Sequence, residues 1–373
     1  MYRTENKFGN GVLYEAYDLS GVLHITSTAC MSVWSEFLSW VNHQLRFRYS
    51  NVKFTPNPIY ADRIIVLSCQ VTDLAILNDL NTLDRLMKAC PGKKYYIGGC
   101  LAKRFDIELP EGVRRLDNVD CNGSFIINRN IIDYAPPFWI KNFDNKQNEF
   151  SQGHLFRNMY PLRVGVGCLN NCSYCTIRVT RGQYKEIEPN IVEFQSNEDV
   201  VLIGDSITEG QVAFWANQAL KCNKQISIRN LEPKEAIRAM PFLYVLAKKG
   251  LLKILHVPIQ SPDKNVLNDM RRHTSSTMIY IDMAEKYLKE YTYLATNIII
   301  DYKHYPNPDM TQLKKVFNYI SWNPYWDGIW DKDRAIQRYD EYFNLRRDLN
   351  DEEDFQREYM GKFLPEESGE KRG

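Results

Sequence analysis

Six short apolar runs, separated by amphipathic stretches, constrain the second half of this chain more than any other feature. They are "RVGVG" (163–167), "DVVLIG" (199–204), "ISIRN" (226–230), "LKILHVPI" (252–259), "LATNIIID" (294–301) and the weaker "YWDGIW" (325–330). Intervening segments such as "EGQVAFWANQALKC" and "PKEAIRAMPFLYVLAKKG" carry apolar residues at helical spacing. Strands alternating with helices predict a parallel α/β sheet over residues 161–345, curled into a partial (βα)6 barrel. Such barrels place their ligands at the C-terminal ends of the strands.

The first 130 residues repeat the alternation with a second regularity. "GVLHITSTAC" ends at Cys30 and precedes a helical stripe of Trp34, Phe37, Leu38, Val41 and Leu45. "RIIVLSC" ends at Cys69 and precedes a stripe of Ile76, Leu80, Leu83 and Met87. "KKYYIGGC" ends at Cys100. This βαβ succession predicts a flavodoxin-like parallel sheet within residues 1–130. Right-handed connections carry the three strand ends to one edge, so three thiols distant in sequence converge. Three buried cysteines are the competing reading, and the repeated strand-end placement favours a ligand set. A linker over 131–160 and a charged, helical or disordered tail over 346–373 complete the expected organisation.

The chain has 373 residues and a formal net charge of +1, so no global basic field points to nucleic acid. No apolar run approaches the roughly eighteen residues of a membrane span, and "MYRTENKFGNG" has no signal-peptide character. The expectation is a cytoplasmic protein with no membrane partner. Nine cysteines in a reducing compartment are better read as metal or redox groups than as disulfides. Isolated ones, here Cys90, Cys121 and Cys222, read as small buried hydrophobes.

Cys168, Cys172 and Cys175 in "VGVGCLNNCSYCTIR" stand apart. Nine cysteines in 373 positions would produce the +4, +7 spacing by chance in about 0.5% of cases. No second pair or CxxC…H follows at zinc-finger range, which argues against tetrahedral zinc. Three thiolates suit a 4Fe–4S cluster with one iron open to an outside ligand.

CxxxCxxC after a strand resembles the signature of the radical SAM enzymes. In those enzymes the open iron takes the amino and carboxylate groups of S-adenosylmethionine (SAM), and one electron releases a 5′-deoxyadenosyl radical. More of the chain is similar to one branch, the radical SAM methylthiotransferases. "TSTACMSVWSE", "IIVLSCQVTDLA" and "YYIGGCLAKR" look like that family's three N-terminal cysteine segments. "VGCLNNCSYCTIRVTRG" resembles its cluster loop, including Arg181 and Gly182, and "LHVPIQSPDKNVLNDMRRHTS" its fourth-strand segment. The resemblance covers roughly residues 20 to 320.

It implies two 4Fe–4S clusters. Cys30, Cys69 and Cys100 would hold an auxiliary cluster carrying an exogenous sulfur species, and Cys168, Cys172 and Cys175 the radical SAM cluster. One SAM would methylate the sulfur, and a second would supply the radical that takes hydrogen from the acceptor carbon. Tyr174, Gly204, Asp205, Arg229, Gln260 and Ser261 are the implied SAM contacts. A flavodoxin- or ferredoxin-like protein would supply the electron.

The chain departs from the family pattern at three places. The family continues into a small β-domain, the TRAM domain, where this chain has only "RAIQRYDEYFNLRRDLNDEEDFQREYMGKF", read as one or two charged helices. The glycine-rich turn after the fifth strand is replaced by "DYKHYPNPD". A basic Ser-Arg pair is replaced by "YKEIEP".

The expected activity is methylthio insertion at an unactivated C–H of a tRNA adenosine near the anticodon, since "SIRNLEP" and "NDMRRHT" are similar to the tRNA enzymes. The same chemistry on a ribosomal protein or peptide side chain is the alternative. Two others are a degenerate, non-catalytic iron–sulfur protein and a radical SAM enzyme using its second cluster for electron transfer. The basic-aromatic runs "NHQLRFRYSNVKF" (42–54) and "IRNLEPKEAIR" read equally as phosphate contacts or as solvated faces. His256, in an apolar strand, reads as a satisfied core histidine; His304 carries no assigned role.

Overall fold

The computed structural model describes residues 21–27, 52–55, 57–116, 155–156 and 159–339. Cys30, Cys121, the stripe Trp34 to Leu45, most of the expected linker and the tail 346–373 lie outside them. The chain divides into two units. One holds the residues up to Asn170 together with Cys175–Asn197 and Gly328–Ala335. The other holds Asn171–Tyr174, Glu198–Asp327 and the residues from Ile336 onward.

In the first unit, five strands form one sheet: β1 (Gly21–Ser27), β2 (Val52–Phe54), β3 (Arg63–Ser68), β4 (Lys94–Gly99) and β5 (Val113–Arg115). Their order is β2-β1-β3-β4-β5, and every pairing is parallel. This is the flavodoxin-like order that the βαβ succession predicts. β3 is buried along its whole length, as the β-branched run "RIIVLS" in the middle of a parallel sheet requires. The helix Asp73–Ala89 returns the chain to β4. It is capped by the Thr72 side chain and buries Leu74, Ile76, Leu77 and Leu83. Leu80 and Met87 of the expected stripe are half-buried on its flank.

Later in the same unit lie β6 (Tyr160–Arg163), β7 (Gly165–Val166) and β8 (Lys185–Glu186), with β7 antiparallel to β8. The expected single strand 163–167 is thus broken at Val164. Its second half leaves to pair with β8, which "YKEIEP" provides.

The second unit is built on β9 (Val200–Ile207), β10 (Ile226–Leu231), β11 (Leu252–His256), β12 (Tyr293–Ile300) and β13 (Tyr319–Pro324). They lie side by side in sequence order, all parallel. Helices Glu209–Cys222, Pro233–Lys248 and Thr274–Tyr287 connect them, giving the αβ alternation of a partial barrel. Thr208 and Gln211 close a capping box on the first of these, and Pro233 opens the second.

The last strand is displaced from the expected "YWDGIW". It is Tyr319–Pro324, paired with β12 from Ala295↔Tyr319 to Ile300↔Pro324, and residues 325–330 form no strand. Both segments are aromatic-rich, and tertiary pairing rather than local pattern decides between them. Cys90 is buried against Ala61, Ile64 and Tyr95, as expected. Cys222 is exposed, contrary to expectation, because it ends the helix Glu209–Cys222 on that helix's outward face.

Candidate cofactor site

In the first unit, β3 and β4 deliver Cys69 and Cys100 to neighbouring strand ends. Ser68 pairs with Gly99, and the Cys100 N–H donates to the Ser68 carbonyl at 3.2 Å. Gly99, at φ +83, makes the turn that ends β4 before Cys100. The Cys69 N–H donates to Oδ2 of the buried Asp79 at 2.8 Å, tying the strand end to the helix behind it. Its sulfur accepts the Val71 N–H at 3.5 Å. Cys69 is half-buried and Cys100 buried.

Beside these thiols Arg104 is fully enclosed. Its Nε and Nη2 fork onto Asp106 at 2.8 and 2.6 Å, and Nη1 donates to Gln70 Oε1 at 3.3 Å. The guanidinium bond, outweighing partial burial, holds the Asp106 carboxyl below its ordinary range.

Cys168 follows Gly167, which adopts φ +76 with its Cα pressed against the Gly182–Gln183 backbone. The Cys168 sulfur accepts the Asn170 N–H at 3.4 Å. Cys168 and Cys175 are half-buried.

Cys172 and Tyr174, in the second unit, sit on a short segment clamped to one helix end. The Ser173 N–H donates to the Met270 carbonyl at 3.1 Å, and its Oγ to the Asp269 carbonyl at 2.8 Å. Arg272 emerges at that same helix end. Its Nη1 reaches Cys172 Sγ at 3.7 Å and Tyr174 Oη at 3.3 Å, while Nη2 donates to Glu232 Oε2 at 2.8 Å and the Pro258 carbonyl at 2.7 Å. The Arg272 side chain is 4% exposed. Burial works against its charge, but the Glu232 carboxylate, with Tyr174 and Cys172, outweighs burial and keeps the guanidinium protonated.

A chain of hydrogen bonds crosses the C-terminal halves of β9 to β12. The Gly204 carbonyl accepts from Asn230 Nδ2 at 3.2 Å, and the Asn230 N–H donates to His256 Nδ1 at 3.2 Å. His256 Nε2 donates to Asn297 Oδ1 at 2.9 Å, and Asn297 Nδ2 donates to Gln260 Oε1 at 3.3 Å. Asn230 and Gln260 both adopt φ +69, the left-handed strain that gathers at functional sites. The chain links Gly204 to Gln260, two expected SAM contacts.

Asp205, the next residue, is half-buried. Ser261 is buried and accepts the Asp263 N–H at 3.1 Å. Arg229 is also buried, and its Nε and Nη1 have no hydrogen-bond partner among the described residues. His256 is the satisfied core histidine that its apolar strand suggests. His304 is exposed and stacks on Tyr305 at 4.4 Å.

Residues that replace the family's glycine-rich turn keep a left-handed backbone, with Asp301 at φ +54 and Lys303 at φ +52. Asn307 holds the turn by accepting the Asp301 N–H at 2.7 Å and donating to Asp301 Oδ1 at 2.9 Å. In the run "IRNLEPKEAIR", Arg229 is buried, and the exposed Arg238 pairs with Glu235 at 3.2 Å.

Sequence reasoning gave no role to Arg272, Arg104, Asp79, Asn230 or Asn297. The available signal was position alone, since Arg272 and Arg104 stand inside the quoted segments "NDMRRHT" and "GGCLAKR".

The donor set fits thiolates. Cys69, Cys168 and Cys172 each have an N–H directed at sulfur, which a deprotonated sulfur accepts far better than a thiol. Among the described residues no three His, Cys, Asp or Glu side chains gather as a single-ion set. A cubane asks for a different arrangement, with each thiolate at its own iron corner.

No family model matches the chain. It is 23% identical over 304 residues to a ribosomal protein uS12 methylthiotransferase, RimO, of a Sulfurihydrogenibium species, covering 76% of this chain and 68% of that protein. It is 24% identical to the protein of the same name from Aquifex aeolicus, covering 72% and 64% respectively. It is likewise 24% identical to a tRNA-2-methylthio-N(6)-dimethylallyladenosine synthase of an Arthrobacter species, covering 65% and 51%. The chain therefore spans between about half and about two thirds of these relatives' length. At the level of the family, the chain is a homologue of the radical SAM methylthiotransferases.

Proposed function

We propose that the chain transfers a methylthio group, with Cys168, Cys172 and Cys175 holding a SAM-binding 4Fe–4S cluster. In the N-terminal domain, Cys30, Cys69 and Cys100 hold an auxiliary cluster. The observation that carries this reading is the set of N–H groups directed at the sulfurs of Cys69, Cys168 and Cys172. When bound, the clusters and SAM supply the electron, the radical and the sulfur, and a flavodoxin- or ferredoxin-like donor reduces the chain.

The chain's own residues bind and orient. Arg229 offers two buried donors with no partner among the described residues, which suits a carboxylate such as that of SAM. Tyr174 and Ser261 supply hydroxyls, Asp205 an acceptor for an ammonium or ribose, and Gly204 backbone in the C-terminal half of β9. The Asn297 amide fixes the Gln260 carboxamide through its oxygen. His256 moves no proton, because both ring nitrogens are engaged and burial keeps the ring neutral.

The acceptor suggested by the sequence segments is a tRNA adenosine near the anticodon. A protein or peptide side chain is the second reading, favoured by the relatives named for ribosomal protein uS12 and by the burial or pairing of Arg229 and Arg238. Mass spectrometry of tRNA nucleosides and of ribosomal proteins separates the two. The material would come from a host lacking its own methylthiotransferases, with and without this chain. A new methylthio nucleoside supports the first reading and a methylthiolated side chain the second. Neither, from cells whose purified chain carries both clusters, would overturn both.

A further inference from the structure

The helix Lys264–Asp269 ends in a turn that determines where Arg272 points. Arg271 takes φ +57, and the Arg272 N–H bonds back to the Leu267 carbonyl at 2.9 Å, a left-handed helix end built without glycine. The turn sends the Arg272 side chain inward, where Glu232, the Pro258 carbonyl and Tyr174 fix its guanidinium. One N–H is left directed at the Cys172 sulfur. The Cys172–Tyr174 segment is bonded to the same helix end through Ser173, so donor and sulfur are held by one element.

A buried arginine is costly, and one carboxylate is enough to neutralise it. Nothing in that pairing requires the guanidinium to reach a cysteine. Donors to a cluster thiolate, and positive charge near it, favour the reduced and more negative state.

We propose that Arg272 is a positioning residue that tunes the cluster held by Cys172, making it easier to reduce by donating to the Cys172 sulfur. Glu232 opposes this by neutralising the guanidinium. The proposal rests on the functional reading above.

The test is an EPR-monitored redox titration of the full chain, loaded anaerobically with iron and sulfide and without SAM. The signal is assigned to this cluster by its loss in Cys172→Ala. Arg272→Gln removes the charge and the reach to sulfur, and is expected to lower the reduction equilibrium about tenfold, a shift of about 59 mV for one electron. Glu232→Gln leaves the guanidinium charge unneutralised, and is expected to shift the equilibrium the opposite way.

A purely structural pair would give no opposed shifts. A loaded Arg272→Gln cluster with unchanged or raised potential overturns the proposal alone. Should Arg272→Gln take up no iron, the sign of the Glu232→Gln shift decides, and a fall overturns the proposal. A wild-type chain that takes up no cluster on Cys172 overturns the functional reading and the proposal together.

Discussion

Asn230 donates its backbone N–H to Nδ1 of His256 at 3.2 Å, which fixes the imidazole as the tautomer protonated at Nε2. That proton is spent on Asn297 Oδ1. The ring is a structural joint between β10 and β12, and its neutrality has consequences for stability.

Burial, and then the charge of Arg229, hold the His256 pKa down to about 3. Below its ordinary value of 6.5, the unfolded chain takes up a proton that the folded chain refuses. Stability therefore falls as pH drops from 6.5 toward 3, by about 1.4 kcal/mol per pH unit at full slope. His24, lowered by burial to about 4, adds to the fall in the same direction. The expected result is that urea midpoints of wild type and His256→Gln converge between pH 7 and pH 5. Parallel midpoints would contradict the assignment.

Gly167 allows no side chain. A Cβ there would stand 2.8 Å from the Gly182 carbonyl oxygen and closer still to that of Gln183, on a backbone at φ +76. Gly167→Ala is expected to cost at least about 2 kcal/mol and to reduce iron bound through Cys168. Gly210→Ala, where the nearest atom to the new Cβ is Thr208 Oγ1 at 4.0 Å, should stay within about 1 kcal/mol of wild type. Chemical denaturation and iron content check both.

Asp79 holds the Cys69 turn through a charge-assisted bond. Asp79→Ala should lower iron per chain by about half if, as proposed, Cys69 holds one of two 4Fe–4S clusters. SAM cleavage should persist while methylthio transfer disappears. Loss of both activities in a folded variant would contradict separate roles for the two cysteine sets.

Arg229→Met should weaken SAM binding by about 10- to 100-fold, the worth of a charged hydrogen-bonding partner. Its thermal midpoint should not fall, because Nε and Nη1 have no partner among the described residues to lose. Equilibrium dialysis and a melting curve separate the two. Unchanged affinity with a lowered midpoint would make Arg229 a structural residue.

The strands of both sheets were readable wherever an apolar run was long and bounded, as at "RIIVLS" and "ISIRNL". The final strand was not, because "YISWNP" and "YWDGIW" both carry Tyr, Ile and Trp, and pairing with β12 selects the first. The strand-end positions of Cys69 and Cys100 followed from the apolar runs that precede them. Arg272 was invisible for a different reason. A buried arginine looks like a surface one until its partners are known, and Glu232 and Pro258 are 40 and 14 residues away. Asn230 was likewise hidden, and so was the backbone of Gln260 though the residue itself was singled out, since a left-handed conformation leaves no mark when glycine is not used.

The most direct test of the central claim is the product of SAM turnover by the anaerobically reconstituted chain with a chemical reductant. Formation of 5′-deoxyadenosine that is abolished by Cys168→Ala, Cys172→Ala or Cys175→Ala is the predicted result. A chain that binds its clusters and SAM yet releases no 5′-deoxyadenosine would contradict the account and leave an iron–sulfur protein without radical chemistry.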